Sequence, residues 1–456
     1  MRLLIRGGRL ITLDRERRIV DASIAVVGER IAGTGPAEAL IAAHGPPDDV
    51  LDATGRHVVP GFVNAHTHLF QSAFRGLGDG LSIGEWQRRV THPAYVHLSA
   101  EDAYWFTLVG CVENLRGGVT TVVNFQAFPN DFDACRWAAR AIGEAGLRGL
   151  LVKSFYGDNA RPELLAGWEA VKADTERVFA ELHGAHDGRV RFCVGPPGAR
   201  NAPADWLRQA HAIASRHGAG LHVHVAENAE GAADAVARLG TTEVRYLDGL
   251  GLVDERFQGA HCVAITDEDV RILAERRANA VHCPVSNMYL ANGVADVPGF
   301  LEAGVNVALG TDGAATNNNQ DMLGVMKAAP LLQKVARRDP ALLPPGRVLE
   351  MATRDGARAA YLDAGAIEPG RLADLVVVDL RGAHNQPLHR PVSALVYSAL
   401  AGDVESVVVG GRPVVRQRRV LTLDEDAIVA EATRRAHDLL GRSGLATSLA
   451  PAWPWT

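Results

Sequence analysis

The chain has few cysteines, and those it has are scattered. Cys111, Cys135, Cys193, Cys262 and Cys283 are odd in number and form no Cys-x-x-Cys pair. That excludes a disulfide framework and a zinc ribbon, and it fits a reducing compartment. No apolar run approaches the ~20 residues that span a bilayer. The opening MRLLIRGGRLITLD also lacks the long apolar stretch of a secretory leader, so a soluble, cytoplasmic protein is expected. Charge of one sign is nowhere concentrated: a formal net charge of −6 and a pI near 6.3 give no basic footprint for nucleic acid. The most basic stretch, RPVVRQRR at 412–419, reads as a strand edge. No Gly-x-Gly-x-x-Gly follows an early strand, so the dinucleotide signature of a doubly wound open sheet is missing.

What is present is apolar material in abundance, 47% of 456 residues, enough for one large domain and a smaller one. Residues 1–57 read as short strands broken by glycine, aspartate and charge. The same texture returns at 373–380, 393–398 and 404–415, with Gly410-Gly411 as a hairpin signal. Two matching β ends predict one small β-sandwich domain formed from both chain ends, from 1–57 and 366–423. Residues 424–442 read as a helix, and Trp453 and Trp455 as surface anchors of the tail.

The middle, 58–365, alternates strand and helix. Strands are expected at 58–64, 119–124, 148–153, 189–194, 220–225, 257–262, 279–282 and 306–310. Helices are expected at 132–145, 163–183, 203–217, 231–249, 266–277 and 319–337. Another is capped by Ser99 and Asp102 and stopped at Gly117-Gly118. Eight strands alternating with helices predict an α/β fold, a (β/α)8 TIM-like barrel.

Barrel chemistry gathers at the C-terminal ends of strands. His66-Thr67-His68 ends the first strand, and residues i and i+2 of an extended chain share a face. The fifth strand ends in LHVHVAE (221–227), the sixth at His261, the seventh at His282, the eighth in GTDG with Asp312. Several imidazoles and a carboxylate at one rim suit a divalent metal.

These segments resemble the amidohydrolase superfamily. PGFVNAHTHLFQSAFRGL, HVHVAE, GAHC, VHCPVSNMYLANGVADVP, ALGTDGAATNNNQDML and GAIEPGRLADLVVVDL read as the branch that holds methylthioadenosine/S-adenosylhomocysteine deaminases, guanine and oxoguanine deaminases and triazine hydrolases. The resemblance covers nearly the whole chain. It implies His66, His68, His224 and Asp312 as ligands to one divalent metal ion, most simply Zn²⁺, with Fe²⁺ or Mn²⁺ as alternatives. The ligand lies three residues before the glutamate, which selects His224 and leaves His222 packed beneath. The metal would lower the pKa of a bound water toward ~7. Glu227 would carry protons to the ring nitrogen and the leaving amine. Asp312 would take the water's proton and His261 would orient it. Asn287 and Thr311 would serve as positioning groups, and His282 would lie near the substrate.

The implied reaction is deamination of a purine-, pterin-, pyrimidine- or triazine-like ring with release of ammonia. The alternatives are displacement of chloride or an alkylamine, hydrolysis of a cyclic amide, or binding without turnover. Gln71, Trp86 and Tyr95 in residues 70–97 are expected to line the substrate pocket, with His282 and Asn287 behind them. Lys153 and Arg161 would either face an anionic substituent or serve as surface charge. Adenosine-type members carry a glutamate where Tyr95 stands and a histidine where Pro197 stands, which points away from a ribose-bearing substrate. A homo-oligomer is expected from the prevalence of closed assemblies.

Overall fold

A computed structural model describes residues 1–157 and 161–446. The tail tryptophans Trp453 and Trp455 lie outside the described residues. From the N-terminus come Arg2–Ile11 (β1), Ile19–Val27 (β2), Arg30–Gly35 (β3), Asp49–Asp52 (β4) and His57–Pro60 (β5). The central strands are Phe62–Thr67 (β6), Val119–Gln126 (β7), Arg148–Ser154 (β8), Val190–Gly195 (β9), His222–Val225 (β10), Gln258–His261 (β11), Asn279–His282 (β12) and Asn306–Leu309 (β13). Leu375–Val378 (β14), Val404–Val409 (β15), Arg412–Arg416 (β16) and Arg419–Val420 (β17) follow.

The central strands form two four-stranded parallel sheets, β6-β7-β8-β9 and β10-β11-β12-β13. A parallel bridge from Val194 to Leu221 joins one seam. At the other, Asp312 N–H donates to His66 O at 2.9 Å. β6, β7, β8, β11, β12 and β13 are buried along their whole length. This is why they read as near-continuous apolar runs rather than as alternation: parallel strands are covered on both faces.

The two chain ends build one nine-stranded mixed sheet, ordered β17-β16-β15-β14-β5-β1-β2-β3 with β4 beside β1. Among the described residues it is continuous, where two stacked sheets were expected. It closes over its own core of Leu3, Ile5, Leu10, Ile24, Leu375 and Val408. Gly410 and Gly411 turn β15 into β16 with φ of 54° and 72°, the left-handed pair that a tight hairpin needs. A buried ion pair ties the two sheet systems: Arg148 Nε donates to Asp374 Oδ2 at 2.8 Å, and Gly410 N–H caps the other oxygen at 2.7 Å.

Three expectations change. The strand read at 58–64 is two: β5 pairs with β1 and β14, whereas β6 pairs with β7. The chain crosses between sheets at Gly61, where a β-carbon would lie 2.2 Å from the Thr120 hydroxyl. The helix read at 231–249 is Ala229–Leu239 and Glu243–Gly249, separated at Gly240 with φ of 74°. Residues 393–398, read as strand, belong to the helix Pro391–Tyr397. Proline stands at the first position of that helix, where its fixed φ favours a helical start. The Ser99–Asp102 capping box forms as read, and Asp102 also accepts from Arg435 and Arg442 at 3.0 Å each, docking the helix Glu425–Arg442.

Candidate metal centre and substrate cavity

The C-terminal ends of β6, β10, β11 and β13 converge. His66 Nε2 and His68 Nε2 lie 3.6 and 3.5 Å from Asp312 Oδ1. His224 Nε2 lies 3.3 Å from His68 Nε2, and His261 Nε2 lies 3.9 Å from Asp312 Oδ2. His66, His68 and His224 form one set of candidate ligand atoms within 4.8 Å of one another, and His66, His261 and Asp312 another.

The hydrogen bonds on the far side of each ring define its tautomer. A carbonyl oxygen can only accept. His68 Nδ1 therefore donates to Phe125 O at 2.9 Å, and His224 Nδ1 to Pro197 O at 2.7 Å. His261 Nδ1 faces Asn287 Oδ1 at 3.0 Å. His66 Nδ1 lies 2.8 Å from His222 Nε2, and His222 Nδ1 lies 3.0 Å from Gln258 Oε1. Gln258 Nε2 donates to the Tyr361 hydroxyl at 2.9 Å, and that hydroxyl donates to Arg256 O. The polarity of this chain runs one way, so His66 carries its proton on Nδ1. Each of the four rings then turns an unprotonated Nε2 inward, and His66 Nε2 is buried without a partner. Burial, and then the neighbouring imidazoles, hold His66 and His224 well below the usual histidine range. Facing lone pairs beside a carboxylate repel unless a cation lies among them, so these residues fit a divalent metal.

Three of these strand ends leave through left-handed backbone on residues other than glycine. Ala226 has φ of 44°, His261 72°, Cys262 48° and Asp312 62°. Such strain persists where surrounding structure enforces it, and it clusters at functional sites. Asp312 is held by Ser286 Oγ at 2.6 Å and Gly313 N–H at 2.7 Å. Burial alone would raise its pKa, but His261, His68 and these donors bring it below the carboxylate norm. Glu227 goes the other way: burial outweighs His261 and raises it. Its Oε1 accepts from Asn292 Nδ2 at 3.0 Å.

A cavity of about 370 Å³ opens from this cluster, lined by His68, His224, Glu227, His261 and Asp312 and by Gln71, Trp86, Tyr95 and Tyr156. Residues 69–98 form its wall as short helical turns: Leu69–Phe74, Ile83–Trp86, Gln87–Thr91 and His92–Tyr95. Gln71 Nε2 donates to the Tyr95 hydroxyl at 3.1 Å, and the Tyr95 ring packs against Phe70, Phe74 and Phe128. Gln71 Oε1 and Trp86 Nε1 are buried without partners.

Four expected substrate contacts are not brought to this lining. The Lys153 ammonium is buried on Asn130 O and Ser154 O, because its strand position turns it away from the cavity. Arg161 is exposed at the start of the turn Pro162–Leu164 and lies outside the lining. Asn287 is occupied by His261, and His282 is buried with both ring nitrogens unpartnered. Thr311 Oγ1 accepts from Asn64 Nδ2 at 2.7 Å, behind the metal end. Sequence reading missed Asn292, Ser286, Gln258 and Tyr361. The Phe125 and Pro197 carbonyls were also missed, because backbone oxygens leave no trace in side-chain identity.

Known proteins match the chain over most of its length. The family model described as "Amidohydrolase family" matches residues 57–414. A 5-methylthioadenosine/S-adenosylhomocysteine deaminase of Pelotomaculum thermopropionicum is 38% identical over 96% of this chain and 99% of its own. A 5'-deoxyadenosine deaminase of Methanothermobacter thermautotrophicus is also 38% identical, again over 96% and 99%. Among solved structures, a zinc-bound adenosine deaminase from Xanthomonas campestris superposes with a TM-score of 0.87 at 29% identity, covering 96% of this chain and 98% of that one.

Proposed function

The chain belongs to the amidohydrolase family and is a hydrolase of carbon–nitrogen bonds other than peptide bonds, and from that premise we propose how its residues divide the work. His66, His68, His224 and Asp312 would hold one divalent ion, and three imidazoles with a carboxylate suit Zn²⁺. When bound, that ion supplies an acidified water as nucleophile at neutral pH. Asp312 would accept a proton from that water, and His261 Nε2 would accept a hydrogen bond that orients it. Glu227, raised by burial, would donate a proton to the ring nitrogen beside the attacked carbon, take one back from the hydroxyl added to that carbon and hand it to the amine, which leaves as ammonia; the proton held by Asp312 would then restore Glu227. The observation that carries this reading is the inward set of unprotonated Nε2 atoms around Asp312, with Glu227 on the same cavity wall.

The substrate is an amino-substituted nitrogen heterocycle, its ring lying against Tyr95, Tyr156 and Trp86 with the Gln71 amide at its edge. The cavity volume suits a bicyclic ring with a modest substituent. A second reading, favoured by the names of the 38%-identical relatives, makes the substrate a 5'-modified adenine nucleoside. The two parallel sheets act as one closed eight-stranded barrel carrying the metal site. The nine-stranded sheet is its companion domain, and the chain works in the cytoplasm as a homo-oligomer. The test is ammonia release by metal-loaded protein from purines, pterins, pyrimidines, triazines and adenine nucleosides, beside elemental analysis. One zinc per chain and ammonia from a panel member is the expected result. Chloride or alkylamine release without ammonia would overturn the leaving-group assignment.

A further inference from the structure

Glu243 is a buried carboxylate that the reaction above does not use. Its side chain is 2% exposed, at the first residue of the helix Glu243–Gly249. A glutamate is rarely so buried unless its oxygens are fully paired. Here each oxygen has a partner that belongs to the site. Oε2 accepts the backbone N–H of Ala226 at 2.8 Å. Oε1 accepts from Arg200 Nη1 at 3.1 Å, and Arg200 is held from the other side by Asp234 at 3.0 Å. Both contacts fall at a junction. Ala226 is the left-handed residue, φ 44°, between β10 and Glu227. Its carbonyl accepts from Val263 and Ala264 at 3.1 and 2.9 Å, which anchors the turn to the segment after β11. Arg200 belongs to the segment after β9, where the Pro197 carbonyl receives both the N–H and the ring Nδ1 of His224, at 3.0 and 2.7 Å.

We propose that Glu243 is a positioning residue for proton transfer: by clamping Ala226 N–H and Arg200 it fixes the strained turn that aims Glu227 at the reacting ring. The inference rests on the assignment of Glu227 as proton carrier. Without the clamp the left-handed Ala226 has no donor–acceptor restraint on its N–H side, and the turn relaxes toward ordinary extended backbone. The Glu227 carboxyl then moves relative to the metal end, whose ligands are held by other strands. Displacements of about 1 Å in such groups cost on the order of 10²-fold in rate. Metal binding survives, because His66, His68 and Asp312 do not touch Glu243 and His224 keeps its Pro197 contacts.

The experiment compares metal-loaded wild type, Glu243→Ala, Glu243→Gln and Glu227→Gln by peptide-resolved hydrogen exchange, metal content and steady-state kinetics on the panel member that releases ammonia. In Glu243→Ala, exchange in residues 222–228 should rise at least ten-fold while other peptides stay unchanged. Its kcat should fall about 10²-fold with KM within about three-fold, and its metal content should hold. Glu243→Gln keeps an oxygen for Ala226 but turns an amide donor toward Arg200, so it should recover part of that loss. If Glu243→Ala does not fold, Glu243→Asp, which withdraws the oxygens by one methylene, takes its place. Unchanged exchange at 222–228, unchanged kcat, or a kcat loss that merely follows metal loss would overturn the proposal. Near-normal turnover by Glu227→Gln would instead sink the proton-carrier assignment, and it would show separately because the exchange readout needs no substrate.

Discussion

The inner end of the cavity and its outer wall are built to different standards. At the inner end the outward nitrogens of His66, His68, His224 and His261 are each hydrogen-bonded, to His222, Phe125 O, Pro197 O and Asn287. One chain continues through Gln258 and Tyr361 to the backbone of Arg256. At the outer wall, Gln71 Oε1 and Trp86 Nε1 are buried with nothing to bond. The wall is also made of four short helical turns rather than strand ends. The difference teaches where each kind of information resides. Chemistry needs ligand atoms fixed in advance, so every supporting bond is made within the protein. Recognition needs groups left open for a ligand, and on the proposed reading the cavity-lining Gln71 and Trp86 keep such atoms for a substrate.

Mutations should divide along this line. The largest effect is expected for His224→Ala, which removes one proposed ligand and leaves the lone-pair cluster short of a donor. Metal content after dialysis should drop well below that of wild type, and turnover should vanish with it. Retained stoichiometric metal would mean that His224 is not a ligand. Next comes Glu227→Gln, which should keep metal and lose roughly 10³-fold in kcat, the range for a positioned acid–base group. Steady-state rates with elemental analysis check both halves of that statement.

Breaking the supporting chain far from the metal should act more gently. Tyr361→Phe and Gln258→Leu touch neither ligand nor cavity, yet they release the His222 ring that orients His66. Metal affinity should weaken by about 10- to 100-fold, read by competition with a chelator. An affinity equal to wild type would show that the His66 tautomer is set without the chain. On the outer wall, Tyr95→Phe removes the hydroxyl that takes the Gln71 amide proton. KM should rise a few-fold with kcat and metal content unmoved; a fall in metal content would erase the distinction between the two regions.

The smallest effect concerns pH. Burial first, and then neighbouring groups, push His222 down to about 4 and His282 down to about 3. The unfolded chain therefore binds these protons near the ordinary value of ~6.5, and the folded chain does not. Their contribution is fully present above that value and is lost as pH falls toward the folded values. Metal-free protein should melt several degrees lower at pH 5 than at pH 7.5. A flat profile by scanning fluorimetry would contradict the buried neutral state of these rings.

Much of this was readable before any coordinates. Eight apolar runs alternating with helical patterns carry strand order, because parallel strands buried on both faces must be apolar throughout. The i, i+2 spacing of His66 and His68 puts both on one face of β6. His261 ends β11 and Asp312 follows β13, whereas β10 carries both His222 and His224, between which the family resemblance and not strand spacing selects. Local spacing suffices for the others because strand geometry converts sequence position directly into direction.

Other features depend on residues far apart in the chain. The crossing of one apolar run between two sheets at Gly61 depends on the Thr120 side chain packed against it. The placement of Lys153 under Asn130 and Ser154 depends on how the loop after β7 folds over its strand. Glu243 meets Ala226 across 17 residues, and Tyr361 meets Gln258 across 103. The amino-acid sequence alone put histidines and an aspartate at strand ends, since strand period is short-range, and the family resemblance marked which of them to expect as ligands. Only the tertiary structure decided which nitrogen of each ring is free and which polar groups stay open to a substrate. Hydrogen-bond partners are chosen by packing in three dimensions, and a backbone carbonyl or a distant amide has no signature in the residue it serves.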